Sequence, residues 1–536
     1  MLTCRYGQAT LEKSSLSASK YLEVEGELYL PEGYPALETV LSVHGYLAEL
    51  TGEISGDKLV LSGTVETHLV YRGKESLDRL PECGMVWRGT EGAVFNGELS
   101  LPEQGENWDW HARLVKIKLQ PETDRRLKYQ LTLEIKLYTR QPMPVSFIEE
   151  IEADPQVRTE GEQLRIEEPV VTAYVRREVE ANFSLTYPKP PLARVLNCQV
   201  FPVTTSATYG KDRVNIEGKL DVELLYIGLT EDGQEAGLEV QRWTEENGKA
   251  IPFQISLEAP ALSEPAIRYE LWVEGIQASA THPESCRVEA RLGARVSVVN
   301  RREVRVVTDG APAGEGIIDL LREESEWVEV VEEVERSFVV EKMLALPADR
   351  PEIRSILQFS VTEPKYDWQL TYEQLMMGGE ASGTLLYLAE SNETAEMMVV
   401  SAGWGSGGTE PLTFGASLEL PGAEEGREVR VSVHPQQFKV EQVDGRTIRL
   451  VWEFKAFLTL LQTRRLSLVR DAVLLLPDER PKPSMLFYLV QPGDTLWRIA
   501  RRYRTTMAAI AKVNQLNADD QQLSAGKKLL IPKSPL

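Results

Sequence analysis

RVNIEGKLDVELLY, residues 213–226, places Val214, Ile216, Gly218, Leu220, Val222 and Leu224 at every second position, the period that puts alternate residues on one face of a β-strand. KLVLSGTVETHLVY at 58–71 has the same texture, with Gly63 and Tyr71 where the first segment has Gly218 and Tyr226, and Gly379 with Tyr387 makes a third copy. In each copy the Tyr follows the Gly by eight residues. Upstream, PALETVL from Pro35, PPLARVL from Pro190 and PEIRSIL from Pro351 share one pattern, and each Pro precedes its Tyr by 36 residues. Downstream, Phe95, Phe253 and Phe414 each precede a Pro by seven residues, in FNGELSLP, FQISLEAP and FGASLELP. Chance does not hold these spacings through three copies, so the chain contains an internal repeat.

Strand texture also marks YQLTLEIKLY at 129–138, and the module implied is an antiparallel β-sandwich. A Gly inside a strand pattern marks a bulge or a close backbone approach more often than a ligand site. The repeated Pro is expected to start a strand or a short helix, and the repeated Tyr to be a core residue with its hydroxyl at the rim. Between copies two and three, GIIDLLREESEWVEVVEEVERS is expected to begin as a short helix and end as a strand, its glutamates on a solvated face.

A length of 536 residues predicts three or four domains. Composition is near the globular norm, with 42% hydrophobic and 26% charged residues. No apolar run reaches the length of a membrane span, and the first thirty residues lack the apolar stretch of a signal peptide, so the expected location is the cytoplasm. Cys4, Cys83, Cys198 and Cys286 stand far apart and are expected to be free thiols, mostly buried. The net charge of −23 is unevenly divided: from Tyr488 to Leu536 there are eight Lys and Arg against three Asp and Glu, +5, which leaves 51 against 79, −28, for the rest. Such a body repels nucleic acid and anionic membranes, whereas the tail attracts an acidic partner.

Catalytic chemistry finds little support. Gly403, Gly405 and Gly408 in SAGWGSGG have dinucleotide-loop spacing, but TEPLTF follows where a helix is needed, and a hairpin loop is the expected structure. His44, His68, His111, His282 and His434 show no metal-binding spacing, and no carboxylate pair stands out. The expectation is a protein that is not an enzyme, with no cofactor and no metal.

The tail reads differently. After PDERPKPS, the segment FYLVQPGDTLWRIARRYRTTMAAIAKVNQLNADDQQLSAGKKLLIP predicts strand, turn, helix, turn, helix, loop, strand. Pro492 and Gly493 make the turn, Asp494 is the natural N-cap, and Leu496, Ile499, Ala500 and Tyr503 form the apolar stripe of the first helix. Met507, Ile510, Ala511 and Asn514 repeat it in a second helix, capped by Thr505 or Thr506.

This βααβ unit resembles a LysM domain through Tyr488, Val490, Pro492 to Trp497, Ile499, Ala500, Tyr503, Asn514, Leu516, Gly526, Leu529, Ile531 and Pro532. The resemblance implies a groove for N-acetylglucosamine-containing glycans such as peptidoglycan, with Gly493, Asp494, Thr495 and Leu496 on one side and Asn517, Gln522 and Leu523 on the other. The three copies resemble SPOCS domains, and the whole arrangement resembles the SipL-type spore-coat morphogenesis proteins. The expected fold is mostly β: SPOCS-like repeats at 1–155, 156–330 and 331–480, a linker at 481–485 and a LysM domain at 486–536.

The resemblance implies a non-enzymatic role in spore-coat assembly on the mother-cell side of the forespore. Its LysM domain would bind the scaffold ATPase, stage IV sporulation protein A, with other coat proteins as further partners and neither nucleic acid nor membrane insertion involved. The alternative is a wall protein that holds peptidoglycan through the same domain. On a helical count from Thr495, Trp497, Arg501 and Arg504 fall on one flank, a patch suited to an acidic protein partner. The other reading of these three residues is a half-buried core Trp beside solvated arginines.

Overall fold

The computed structural model describes residues 2–74, 80–101, 108–153, 156–313, 317–362, 364–390, 397–405, 410–475, 484–517 and 523–533. The first repeat consists of β1 (Leu2–Tyr29), β2 (Leu37–Ser55), β3 (Lys58–Gly73), β4 (Glu82–Trp87), β5 (Ala93–Ser100), β6 (Trp108–Pro121) and β7 (Arg126–Ala153). β3 pairs with β2 along one edge and with β4 and β5 along the other, while β1, β7 and β6 form a second antiparallel sheet. The second repeat has the same order in β8 (Val157–Ser184), β9 (Leu192–Tyr209), β10 (Arg213–Leu229), β11 (Glu235–Trp243), β12 (Ile251–Glu258), β13 (Pro265–His282) and β14 (Ser285–Pro312).

The third repeat opens with β15 (Ile317–Ala345), which pairs with β23 (Thr447–Leu475) and thereby with β22 (Glu428–Gln442). Its other sheet is split. β16 (Ser355–Val361), β19 (Gly383–Glu390) and β20 (Met397–Trp404) form one part, and β17 (Lys365–Thr371), β18 (Gln374–Ala381) and β21 (Leu412–Glu419) the other. Pro364 stands at the break between β16 and β17, where a residue without an N–H cannot continue a ladder.

β15 corrects one expectation. The segment expected to begin as a helix is strand from Ile317 onward, and it runs across residue 330, the expected end of the second repeat. Its entire length is hydrogen-bonded to β23, and Trp327 is buried edge-on against Phe147. Tertiary pairing outweighs local helix propensity there.

The repeat spacings correspond to two devices. The hydroxyls of Tyr71, Tyr226 and Tyr387 donate to the carbonyl oxygens of Pro35, Pro190 and Pro351, at 2.9, 3.1 and 2.9 Å. All three residues are buried, and each hydroxyl, bonded to a half-buried proline, ties the start of one strand to the end of the next. Meanwhile Gly63, Gly218 and Gly379 lie directly across the ladder from Phe95, Phe253 and Phe414. Each Phe ring lies over its glycine, and a Cβ on any of the three glycines would fall inside 3 Å of that ring. The register against β9 shifts by a residue directly at Gly218, and against β2 one pair beyond Gly63, between Thr64 and Val65, so a bulge accompanies the close approach.

The repeats meet about a pseudo-threefold axis. Leu41, Leu196 and Leu357, the last residues of the three Pro-led motifs, pack into one cluster with Val70, Leu225 and Leu386, each of which precedes a clasp Tyr. β4 touches β9, β11 touches β16 and β20 touches β2, so each repeat contacts the next in the same way. The strands β1, β7, β8, β14, β15 and β23 are 28 or 29 residues long, far beyond the usual 3 to 10 or so. Their far ends build a second shared core from Leu11, Phe147, Ile166, Val306, Trp327 and Leu468, two residues from each repeat.

Candidate binding site in the C-terminal module

The C-terminal module consists of β24 (Ser484–Leu489), α1 (Leu496–Arg502), α2 (Met507–Asn514) and β25 (Lys528–Lys533). Both helical stripes expected from the sequence face its core: Leu496, Ile499 and Ala500 from α1 with Met507 and Ile510 from α2 pack on Val490, Leu529 and Ile531. Among the described residues no helix is long and apolar enough to cross a membrane.

The turn after β24 is built from its polar groups. Gly493 has φ +84°, a conformation that glycine adopts without strain. Asp494 is not the N-cap; that position belongs to Thr495, whose hydroxyl accepts the Arg498 N–H at 3.2 Å. The Asp494 carboxylate instead accepts from the Tyr488 hydroxyl and from the Gln491 N–H at 2.8 Å. The Tyr488 bond, aided by the Gln491 N–H and by Arg502 and Arg498, holds the Asp494 carboxyl below the usual carboxylate range. Arg502 donates to the Tyr488 hydroxyl at 2.8 Å, and Arg498 to the Gly493 carbonyl at 3.3 Å. Thr506 caps α2, accepting from the Ala509 N–H at 3.0 Å.

Asn514 joins α2 to β25. Its amide donates to the carbonyl oxygens of Ile510 and Leu530, at 2.8 and 2.6 Å, and accepts the Leu530 N–H at 2.7 Å. One side chain thus meets both backbone groups of Leu530 as a neighbouring strand would.

Of the residues expected along a glycan groove, Gly493 is exposed, Asp494 and Thr495 are half-buried with side-chain oxygens already engaged, and Leu496 is buried in the core. On the other wall Asn517 is exposed and Leu523 packs against the core; Gln522 lies outside the described residues, as do Gly408 of the glycine-rich loop and residues 481–483 of the linker. On the first wall only Gly493 is exposed, and its carbonyl already accepts from Arg498. At the glycine-rich loop β20 ends at Trp404, the Gly405 N–H donates to the Glu410 carbonyl at 3.0 Å, and the strand β21 follows where a dinucleotide loop would lead into a helix.

The flank of α1 differs from the helical count. Trp497 is half-buried, and the Arg501 guanidinium lies 5.9 Å from its ring centre. α1 stops at Arg502, and Arg504, at φ +50°, is exposed beyond its end, so the 100° step does not carry it to Trp497. Arg501 itself is ion-paired with Asp309 of β14, which Arg322 of β15 also engages. Neither this contact with the body nor the Tyr488–Asp494–Arg502 network leaves a trace in the sequence, because both depend on side chains brought together by the fold.

No curated protein and no solved structure matches the chain. Residues 488–532, the segment that carries this turn and both helices, match the LysM domain.

Proposed function

We propose that the chain is a non-enzymatic assembly protein of the spore coat, in which three SPOCS-like repeats form the scaffold and the LysM domain docks the coat scaffold ATPase, stage IV sporulation protein A, on the mother-cell side of the forespore. The observation that carries this reading is the threefold recurrence of the Tyr–Pro and Gly–Phe devices ahead of a terminal LysM domain. In that body the repeated Tyr and Pro share a hydrogen bond and the repeated Gly and Phe pack together, which is structural work. The Trp497–Arg501 flank supports a protein-docking role, since within this chain Arg501 already bonds a carboxylate, the buried Asp309 of β14. Trp and Arg are enriched among residues that dominate binding energy.

The LysM match favours a second reading, in which the domain binds N-acetylglucosamine-containing glycan across the Gly493 turn. The two are separated by capturing the purified ATPase on the immobilised full chain and, in parallel, titrating the chain with an N-acetylglucosamine oligomer. Trp497→Glu should abolish capture with the fold retained by circular dichroism. Normal capture by that variant would refute docking through this flank, and tight oligomer binding without capture would favour the wall reading.

A further inference from the structure

β6 is the outer strand of the β1–β7–β6 sheet, and every residue from 111 to 120 borders one cavity of about 810 Å³. A strand that turns only one face to a cavity contributes alternate residues; the unbroken run on β6, like the run from Val431 to Phe438 on β22, brings the strand's edge to the space, and what distinguishes β6 is the packing of its seam. The cavity lies where the repeats converge, and His44, Gln199 and Ser360, equivalent residues of the three repeats, border it together. Tyr366 and Trp368 of β17 also line it.

The space exists because one seam differs from the other two. β13 packs against β2 and β22 against β9, so each of these outer strands lies against the preceding repeat. By the same rule β6 would lie against β16 and β17. There, among the described residues, no comparable strand packing occurs, and a hydrogen bond from Arg113 to the Pro364 carbonyl, 2.7 Å long, reaches across.

The charge along this open edge is also unbalanced. Arg113 is neutralised by Glu134 at 2.6 Å and Arg242 by Glu223, while Glu270 stands 3.8 Å from His111. Lys116 and Lys118 lie side by side on β6, and neither belongs to an ion pair among the described residues. Burial pushes the Lys116 ammonium down, its neighbour Lys118 adds to this, and Glu23 opposes it in part. Five Lys and Arg (Arg113, Lys116, Lys118, Lys136, Arg242) border the cavity against three Asp and Glu (Asp221, Glu223, Glu270), a small positive excess in a chain of net charge −23.

We propose that the open seam binds an extended acidic peptide segment of a partner protein, which adds as a strand to the free edge of β6 and sets its carboxylates against Lys116 and Lys118. Ten residues of β6 span roughly 30 Å, enough for a bound strand of ordinary length. Main-chain hydrogen bonds would give affinity and the lysines the preference for acidic side chains.

The test uses the full chain and a fluorescein-labelled ten-residue peptide of alternating Glu and Val, followed by anisotropy. Saturable one-to-one binding is expected, at least tenfold weaker for the Lys116→Glu/Lys118→Glu variant and for a peptide N-methylated at alternate residues, and undetectable for a Lys–Val peptide. Circular dichroism checks that the variant is folded; if charge reversal unfolds it, Lys116→Met/Lys118→Met takes its place. No saturation below about 1 mM, or binding that survives the lysine substitutions and so belongs to the basic tail, would overturn the proposal. Binding that needs the lysines but is indifferent to N-methylation, and is matched by polyphosphate, would identify a general anion site and overturn strand addition.

Discussion

Adding one methyl group at the repeated glycines tests the central packing device, and the three copies should respond unequally. At Gly63 a Cβ would fall inside 3 Å of both the Glu49 carbonyl oxygen and the Phe95 ring; at Gly218 it would meet the Val203 carbonyl oxygen and the Phe253 ring in the same way. At Gly379 the three nearest atoms all belong to the Phe414 ring. Overpacking costs about 1 to 3 kcal/mol, and the reduced freedom of the unfolded chain returns about 0.4 to 1 kcal/mol. Gly379→Ala, where a side chain alone must move, should fall near the lower limit. Gly63→Ala, where backbone must move within a fully paired strand, should reach the upper limit or exceed it.

Because the chain is large and its repeats share cores, global melts are a poor gauge. Hydrogen exchange read by peptide mass spectrometry can follow residues 58–73, 213–229 and 374–390 separately. A change of 1 to 3 kcal/mol there means about 5- to 140-fold faster exchange. Trimming the aromatic ring supplies the decisive arm. Phe414→Leu should relieve Gly379→Ala, so that the double variant is less destabilised than the two changes added, whereas Phe95→Leu should leave Gly63→Ala nearly as damaging, because the Glu49 carbonyl stays in place. Equal costs at Gly63 and Gly379, or full rescue at Gly63, would refute the reasoning.

Asn514→Ala should destabilise the LysM domain by about 2 to 3 kcal/mol, since three hydrogen bonds are lost and the Leu530 backbone is left without partners; exchange across 484–517 and 523–533 reads this, and an unchanged rate would count against the bridging role. Acid should weaken the body: burial pushes His44 down to about 3 and His434 to about 4, so both stay neutral when folded while the unfolded chain takes up protons below about pH 6.5. Their contribution is complete above that pH and falls with acidification by about 2 kcal/mol per histidine at pH 5. Urea midpoints at pH 7.5 and 5.0 should therefore separate less in His434→Gln than in the parent chain, and an identical separation would exclude His434 as a source.

The β-rich class, the threefold repeat and the βααβ tail were legible because each rests on local periodicity or on spacings that recur in sequence. The Tyr at 36 residues from its Pro was visible as a number, but its reason, a hydroxyl returned to the Pro carbonyl, needed the fold. Pairing partners hundreds of residues apart leave no local trace, so β15, with its helix-like Leu and Glu content, was misread at its start. The N-cap went to Thr495 rather than Asp494 because adjacent residues can each cap a helix, and the choice follows from Tyr488 binding the carboxylate. The α1 flank depended on where the helix ends, the least legible feature of any helix.

A threefold body can carry sites that are not threefold, because equivalent positions in the copies hold different residues. Three residues past the shared glycine stand Glu66, Asp221 and Ser382. Glu66 is completely buried and faces the second repeat, accepting the Ile276 N–H at 2.9 Å and pairing with Arg291 at 2.6 Å, while His68 and Arg88 approach from its own side. Burial would push its carboxyl up, but His68, the Ile276 N–H and Arg88 hold it below the usual range. Asp221 instead accepts the Glu245 N–H within its own repeat, and the Ser382 carbonyl accepts the Thr362 N–H within its own. One strand position thus joins repeats once and serves internal structure twice. A ring of identical copies must seal or open all its seams together; covalent linkage of unlike copies removes that constraint. The clasps can keep three sandwiches alike while the residues between them close two outer seams and leave the third, bordered by Lys116 and Lys118, open.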